Sequence, residues 1–414
     1  MSGQDLDQWT IEASAPDGQL NFIQHQPSTQ SRLGLKWPEI KLLIIAGIGF
    51  CMDAYDLFVI NMIVPILILA YYPPGQESIP WGLDGGLLKA AANLGNVVGQ
   101  IIFGILGDRL GRSYVYGKEL VIVMIGVIMV ISVPSTPHFS PNAVSAWISG
   151  WRFLMGMGIG GDYCMSATIV SDRARLQNRG LLLAIIFSNQ GLGNLLGGLA
   201  AVVVIAAYKN PVVDGDLHKL DGAWRILQSL TLFPAFGVIY YRFTLVESTR
   251  YRVARQLQDA SVPPLNAGDM SKDANGVEKQ QIVVVVDRPA RAVPRIQTGT
   301  DQFIEYFSHM QHLRLLLGTC LSWFLIDVTF YGIALNQSAI LSAIGFTTDN
   351  STVWSKLMKT ATGNLIITSA GFLPGYWLTI ALIEIIGRKP IQLIGFCANA
   401  VFFAILGARY DTLK

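Results

Sequence analysis

Gly107-Asp108-Arg109-Leu110-Gly111-Arg112 follows one long apolar stretch, and Glu384-Ile385-Ile386-Gly387-Arg388-Lys389 follows another. Acid-x-x-Gly-Arg thus occurs twice, with Asp108 and Glu384 276 residues apart. An acid at a helix end can pair with the arginine across a tight glycine turn and latch two helices together. The bland alternative is chance recurrence of common turn residues, and two copies after even-numbered apolar segments weaken it. Asp53 and Asp327, each inside an apolar segment, lie 274 residues apart, close to the same offset. The chain therefore reads as two related parts.

Of the 414 residues, 51% are hydrophobic and only 14% charged, against roughly 25% charged in a soluble domain. That excludes a water-soluble enzyme and a disordered chain. Nine apolar segments stand out, at about 40–70, 85–107, 115–135, 143–170, 180–207, 223–246, 312–342, 360–386 and 389–408. Each is long enough to cross roughly 30 Å of hydrocarbon as a helix. The apolar residues run continuously rather than alternating, which disfavours a membrane barrel. The expected fold is an all-α polytopic membrane protein, not an enzyme.

The net charge of +2 is too small to argue for nucleic acid, and no basic run interleaves with aromatics. Cys51, Cys164, Cys320 and Cys397 are far apart in sequence, so no disulfide framework or CxxC site is expected. His25, His138, His218, His309 and His312 lie outside the apolar cores, and HExxH is absent. No metal and no cofactor is expected.

The loops alternate in charge. Arg109, Arg112 and Lys118 fall between the second and third segments, and Arg173, Arg175 and Arg179 between the fourth and fifth. Tyr71–Asp84 and Val133–Asn142 carry no lysine or arginine. The positive-inside bias puts the N-terminus and the basic loops in the cytoplasm. An Asn350-Ser351-Thr352 sequon then falls in an outward loop. The first 36 residues are polar, with no cleaved signal peptide expected. The expected organisation is a cytoplasmic tail over 1–36, a six-helix bundle over 37–247, a cytoplasmic loop over 248–311, and a partial bundle of three helices over 312–414. The Ile282–Val286 run inside the loop is too short to span.

Ionisable groups inside a bilayer cost at least ~2.5–3.5 kcal/mol each, so each points to function. Asp53 and Asp56 in the first segment share a helix face, and proton uptake by either would relieve their mutual repulsion. Arg152 and Asp162 in the fourth are about 15 Å apart along the helix and must face different partners. Glu119, early in the third segment, is the expected partner of Arg152. The glycines between them, Gly156 and Gly160 included, read as close helix packing. Asn189, Gln190 and Asn194 in the fifth segment fit interhelical glue as well as a ligand role. Trp323, Asp327 and Tyr331 stack on one face of the seventh segment, and a carboxylate amid an aromatic stripe suggests a cavity wall.

Such carboxylates suit cations, neutral polyols, or an anion that still carries protons. Dihydrogenphosphate can donate O–H bonds to aspartate while accepting from Tyr, Gln and Trp; sulfate at neutral pH cannot donate. Composition does not choose among these.

The repeat and the long middle loop resemble the major facilitator superfamily: two six-helix halves, with substrate bound between them near the midplane. Within it, Gly160-Gly161-Asp162-Tyr163 followed by Ser166-Ala167 resembles the GGDYPxSA signature of the phosphate:proton symporters of fungi and plants. Gly49-Phe50 through Asp56, Tyr116-Gly117-Lys118-Glu119, Asn189-Gln190-Gly191 and Trp323 through Tyr331 are similar to that family too. The resemblance implies symport of inorganic phosphate and protons by alternating access, in the plasma membrane, with the lipid bilayer as the other partner. It implies that Tyr163, Gln190, Trp323, Asp327 and Tyr331 contact phosphate. Asp53, Glu119, Arg152 and Asp162 would serve proton coupling and gating, with Asp56 a further candidate. Asp108, Gly111, Arg112, Glu384, Gly387 and Arg388 would form the two signature loops.

Cys164 replaces the signature proline, which removes an expected kink, and Glu247-Ser248-Thr249-Arg250 only loosely follows the Pro-Glu-Ser-Pro-Arg motif. The family has twelve spans, with an asparagine and the principal cation of the site, a lysine, in the tenth and eleventh. The sequence stops at Lys414 after the ninth segment and so reads as C-terminally truncated. The alternatives are a facilitator for another small solute, such as a sugar or organic anion, and a transport-incompetent fragment or nutrient receptor.

Overall fold

A computed structural model describes residues 9–12, 21–24, 37–72, 86–134, 140–173, 179–245, 299–347 and 352–408. It divides into two compact units, Met1–Leu42 and Leu43–Lys414. The first carries a two-stranded antiparallel hairpin of β1 (Trp9–Glu12) and β2 (Asn21–Gln24), with Trp9 opposite Gln24 and Glu12 opposite Asn21. These are the only strands among the described residues.

The other described residues are mostly helical. The chain runs through α1 (Trp37–Phe58), α2 (Ile60–Tyr71), α3 (Gly86–Leu110), the short α4 (Arg112–Val115), α5 (Lys118–Ile131), α6 (Pro141–Arg173) and α7 (Arg179–Ala207). It continues through α8 (Lys209–Val213), a 3-10 turn, α9 (Leu220–Ser229) and α10 (Leu232–Phe243). From residue 299 onward come α11 (Gly299–Ser308), α12 (Met310–Ala334), α13 (Gln337–Ala343), α14 (Val353–Ile367), α15 (Leu373–Leu382) and α16 (Arg388–Ala408). Eight helical stretches are long and apolar enough to cross a membrane, so this is an integral multi-pass membrane protein.

The sixth expected segment, 223–246, is a helix broken at Leu230-Thr231 into α9 and α10. Pro234 has no N–H to give the Leu230 carbonyl, and the Thr231 hydroxyl turns inward to Asp56 at 3.2 Å. Pro65 acts similarly in α2. It leaves the Asn61 carbonyl free, and Ser338 Oγ donates to it at 2.9 Å. The seventh segment ends at Ala334 rather than 342, and the residues beyond form the separate α13. Part of the expected loop over 248–311 is also helical, as α11; Ile282–Val286 lies outside the described residues. Through Cys164, α6 runs 33 residues without interruption, about 50 Å.

The sequence explains which faces are buried. On α3, Leu94, Val97, Ile101 and Ile105 recur at helical spacing and are exposed, a stripe suited to lipid. The opposite face, with Gly95 and Gly99, packs on α6. The interior is filled from α2, α5, α6 and α9 by side chains such as Ile63, Ile66, Val127, Ile148, Met155 and Trp224.

At the end of the bundle opposite the basic loops, Arg225 ties three elements together. It donates to the carbonyls of Ile131 and Val133 and to Asp221, which also accepts from Tyr71. Burial alone would raise the Asp221 carboxyl, but the hydrogen bonds from Tyr71 and Arg225 outweigh it and hold it below the usual carboxylate range. A depressed folded value stabilises the fold above the ordinary carboxylate range, and that contribution is lost as pH falls through the lower folded value. Asp221→Asn should therefore lower the thermal midpoint of the purified protein at neutral pH, with the difference shrinking as the buffer becomes strongly acidic. A pH-independent difference would contradict this account.

Candidate functional site

Where α6, α7 and α15 approach one another, three polar side chains meet. Gln190 Nε2 donates to the Tyr163 hydroxyl at 3.0 Å, and the Tyr376 hydroxyl donates to Gln190 Oε1 at 3.1 Å. Tyr376 reaches across because Gly191 has no side chain; a Cβ there would lie 2.8 Å from its ring. Tyr331 on α12 lies near enough to both tyrosines, and to Asp327, for electrostatic interaction. Asp327 is half-buried, with the Trp323 side chain one turn earlier close beside it. Tyr163, Gln190, Tyr331 and Asp327 are thus brought together. Trp323 itself is 63% exposed. Tyr376 carries no charge and belongs to no motif that marks it in the sequence.

Two buried polar networks flank this group. In the first, Asp56 Oδ1 accepts from Gln228 Nε2 at 2.8 Å and Thr231 Oγ1 at 3.2 Å. Arg152 joins it, donating to the Asp56 main-chain carbonyl at 3.3 Å and to Gln228 Oε1 at 3.5 Å. The second contains Asp53, Glu119, Asp162 and Arg242. Arg242 Nη2 donates to Asp162 Oδ2 at 2.7 Å and Nη1 to Glu119 Oε1 at 3.2 Å, while the guanidinium lies 4.7 Å from the Tyr116 ring centre. Ser166 donates to the other Asp162 oxygen at 2.5 Å, and the Gly117 N–H to Glu119 at 2.7 Å. Asp53, Asp56, Glu119, Arg152, Asp162 and Arg242 are all buried.

The expected Glu119–Arg152 pair is therefore wrong: Glu119 pairs with Arg242. The reason is depth. Neighbouring spans run antiparallel, so Glu119, at the start of α5, lies level with the later Asp162 of α6 and not with the earlier Arg152.

The two signature turns also differ. Gly111 and Gly387 both have left-handed backbone, at φ 104° and 90°. Arg112 reaches Asp108 at 3.6 Å, but its closer partner is Asp172, at the end of α6. In the second copy no Glu384–Arg388 ion pair forms among the described residues. Arg388 instead lies against the start of α7, where a Cβ on Gly180 would be 2.7 Å from its Nη2.

Away from the basic loops, α2 and α3 are latched to the end of α12 and the turn that follows it. Asn61 Nδ2 donates to the Ala334 carbonyl at 2.6 Å, and Lys89 Nζ to Asn336 Oδ1 at 3.4 Å. Beneath this latch, Phe58 packs on Phe330, Tyr331 and Phe372 with ring centres 6.0, 6.3 and 6.5 Å away. An aromatic layer therefore lies between the latch and the Tyr163–Gln190–Tyr376 group.

A helical membrane protein with a polar group between two sets of spans and buried charges beside it has the form of a solute carrier. The sugar (and other) transporter family matches residues 42–414, and the chain belongs to that family. A putative inorganic phosphate transporter of Schizosaccharomyces pombe is 40% identical over 430 residues, covering 96% of this chain and 75% of that protein. An inorganic phosphate transporter of Saccharomyces cerevisiae is 36% identical over 401 residues, covering 92% of this chain and 66% of that one. Among solved structures, a D-xylose-proton symporter aligns with a TM-score of 0.59 at 17% identity, over 90% of this chain and 75% of that chain. The xylose transporter of E. coli in a partially occluded inward-open conformation gives 0.55 at 18% identity, over 90% and 80%. These likenesses establish the major facilitator fold.

Proposed function

We propose that the chain carries inorganic phosphate across a membrane together with protons, by alternating access. The observation that carries this reading is the Tyr163–Gln190–Tyr376 bridge, with Tyr331 and Asp327 beside it and Asp53 just beyond Tyr163. Hydroxyl and amide donors suit phosphate oxygens, and a carboxylate suits the hydroxyls of dihydrogenphosphate. The phosphate-transporter names of its relatives support the same substrate. Trp323 would close the site from the side of α12.

In this reading the helices over 37–247 and those from 312 onward rock against each other around the site. The Asn61–Ala334 and Lys89–Asn336 contacts and the aromatic layer at Phe58 shut one side. Positive-inside bias makes that the outer side, with the N-terminus cytoplasmic, and the membrane is taken to be the plasma membrane. Asp53, Glu119 and Asp162 serve proton coupling, while Asp56 and Arg152 form a gating pair on the outer side. Asp108, Arg112 and Asp172 latch the inner ends of the spans, and Arg388 acts similarly against Gly180.

The test is radioactive phosphate uptake by cells that express the encoding gene and lack importers of their own. Uptake should rise as the outside is acidified, collapse with a protonophore, and ignore excess sulfate or xylose. Uptake indifferent to the proton gradient, or blocked equally by a sugar, would refute the reading. Within it, Gln190→Ala removes one direct contact and unpairs two tyrosines. About 1.4 kcal/mol of lost binding corresponds to a roughly tenfold higher KM, with the maximal rate little changed. An unaltered KM would remove Gln190 from the site.

A further inference from the structure

Arg242 belongs to none of the motifs that point to transport, yet its guanidinium is fully buried among carboxylates from other helices. A cation in the last turn of α10 would ordinarily reach outward to the interface. This one turns inward, and Gly49 is the reason. A Cβ on Gly49 would lie 1.7 Å from Arg242 Nη2 and 2.6 Å from Asp162 Oδ2, so the ion pair presses on the bare backbone of α1. Gly49 precedes Asp53 by one helical turn, which places the pair one turn from Asp53 on the same face.

Charge counting then separates the three carboxylates. One guanidinium cannot compensate three negative charges in a low-dielectric interior. Asp162 has both oxygens engaged, one by Arg242 and one by Ser166. Glu119 has one oxygen engaged, and its Oε2 is buried without a partner. Both oxygens of Asp53 are buried and receive no donor among the described residues, and its carboxyl lies beside that of Asp162.

We propose that Arg242 is a positioning residue for the proton site: it pins Asp162 as a carboxylate and leaves Asp53 to bind and release the transported proton. The inference rests on the proton-coupled reading above. An O–H bond forms on Asp53 with a proton from water on one side of the membrane. It breaks by returning that proton to water on the other side, while Asp162 stays compensated throughout. The titratable groups facing Asp53 are Cys51 and Asp56 on α1, Asp162 and Tyr163 on α6, and Arg242 on α10, with Tyr116 and Glu119 flanking Arg242.

Infrared difference spectra of the purified protein between acidic and mildly alkaline buffer report titrating carboxylic acids with no phosphate present. The wild type should show an acid band that Asp53→Asn removes. Arg242→Gln should add a second band, which a further Asp162→Asn removes, and Arg242→Lys should retain the single band. In cells, Arg242→Gln should move the pH profile of uptake per folded molecule toward alkaline pH. Should Arg242→Gln fold poorly, Arg242→Gln/Glu119→Gln removes one charge of each sign and should show the same second band. A wild-type spectrum and pH profile in both variants would overturn the proposal, as would a loss of folded protein with an unchanged spectrum per molecule. A wild type that takes up no phosphate would refute the transport reading, while the infrared result would still decide the role of Arg242.

Discussion

Asp327→Asn is expected to abolish accumulation of phosphate against its gradient while leaving the protein folded in the membrane. The side chain is half-buried on α12, so an isosteric amide opens no cavity. Trp323, one turn earlier and close beside it, can sit against an amide as well as a carboxylate. What disappears is the charge. A carboxylate accepts an O–H from dihydrogenphosphate strongly, and hydrogen bonds to charged groups contribute about 1.5–3 kcal/mol. Losing that contact raises KM roughly 10- to 100-fold. The second loss is larger. A carboxylate facing the bound anion repels it once both are ionised, so protonation and deprotonation bias occupancy of the site. An amide cannot change charge and holds phosphate alike whatever the proton gradient. Downhill exchange at high phosphate should survive in Asp327→Asn where net accumulation does not. Unchanged accumulation, in protein shown to reach the membrane in normal amount, would remove Asp327 from the mechanism.

The spans were legible because hydrophobic length is a one-dimensional property, and so was the face formed by Trp323, Asp327 and Tyr331, because helical spacing is local. Three things were not. Arg242 sits in Tyr240-Tyr241-Arg242-Phe243, which reads as an aromatic and cationic boundary at the end of a span. Its inward course depends on Gly49, nearly two hundred residues away. A signal existed: Asp53, Glu119 and Asp162 outnumber Arg152, and a membrane interior demands a further cation. The partner of Arg152 is set by depth across antiparallel helices, which separation along one helix does not convey. Asp56 and Gln228 face Arg152 because the break at Leu230-Thr231 turns Thr231 and Gln228 toward α1. Tyr376, in Leu373-Pro374-Gly375-Tyr376-Trp377, carries no charge to mark it, and only the space above Gly191 lets its hydroxyl reach Gln190.

Gly156→Ala, the addition of a single methyl group, is expected to prevent α3 and α6 from docking and to remove most of the folded protein. In a bilayer, lipid is as apolar as the helix surface, so association depends on close packing rather than on the hydrophobic effect. Both helices present glycines four residues apart, Gly95 and Gly99 on α3 and Gly156 and Gly160 on α6, and each pair meets the other backbone. A Cβ on Gly156 would lie 1.9 Å from the Ala92 carbonyl oxygen, and one on Gly95 1.9 Å from that of Phe153. At Gly99 the distance to the Met157 oxygen is 2.0 Å, and at Gly160 the distance to the Asn96 oxygen is 2.2 Å. Backbone cannot swing aside as a side chain can, so the helices must separate by more than an ångström, loosening contacts along the whole seam. Overpacking of a yielding core costs about 1–3 kcal/mol, and an unyielding contact on both sides should exceed that. The controls lie on the same two helices. Nothing stands within 4 Å of a Cβ added at Gly104 or Gly150, so Gly104→Ala and Gly150→Ala should be neutral or gain up to about 1 kcal/mol from helix propensity. Monodispersity and thermal midpoint in detergent distinguish the outcomes. If Gly156→Ala were as stable as Gly150→Ala, the two helices could not be in backbone contact. Asp162, carried on α6 one turn and a half beyond Gly156, would then lose the support that sets its height against Arg242.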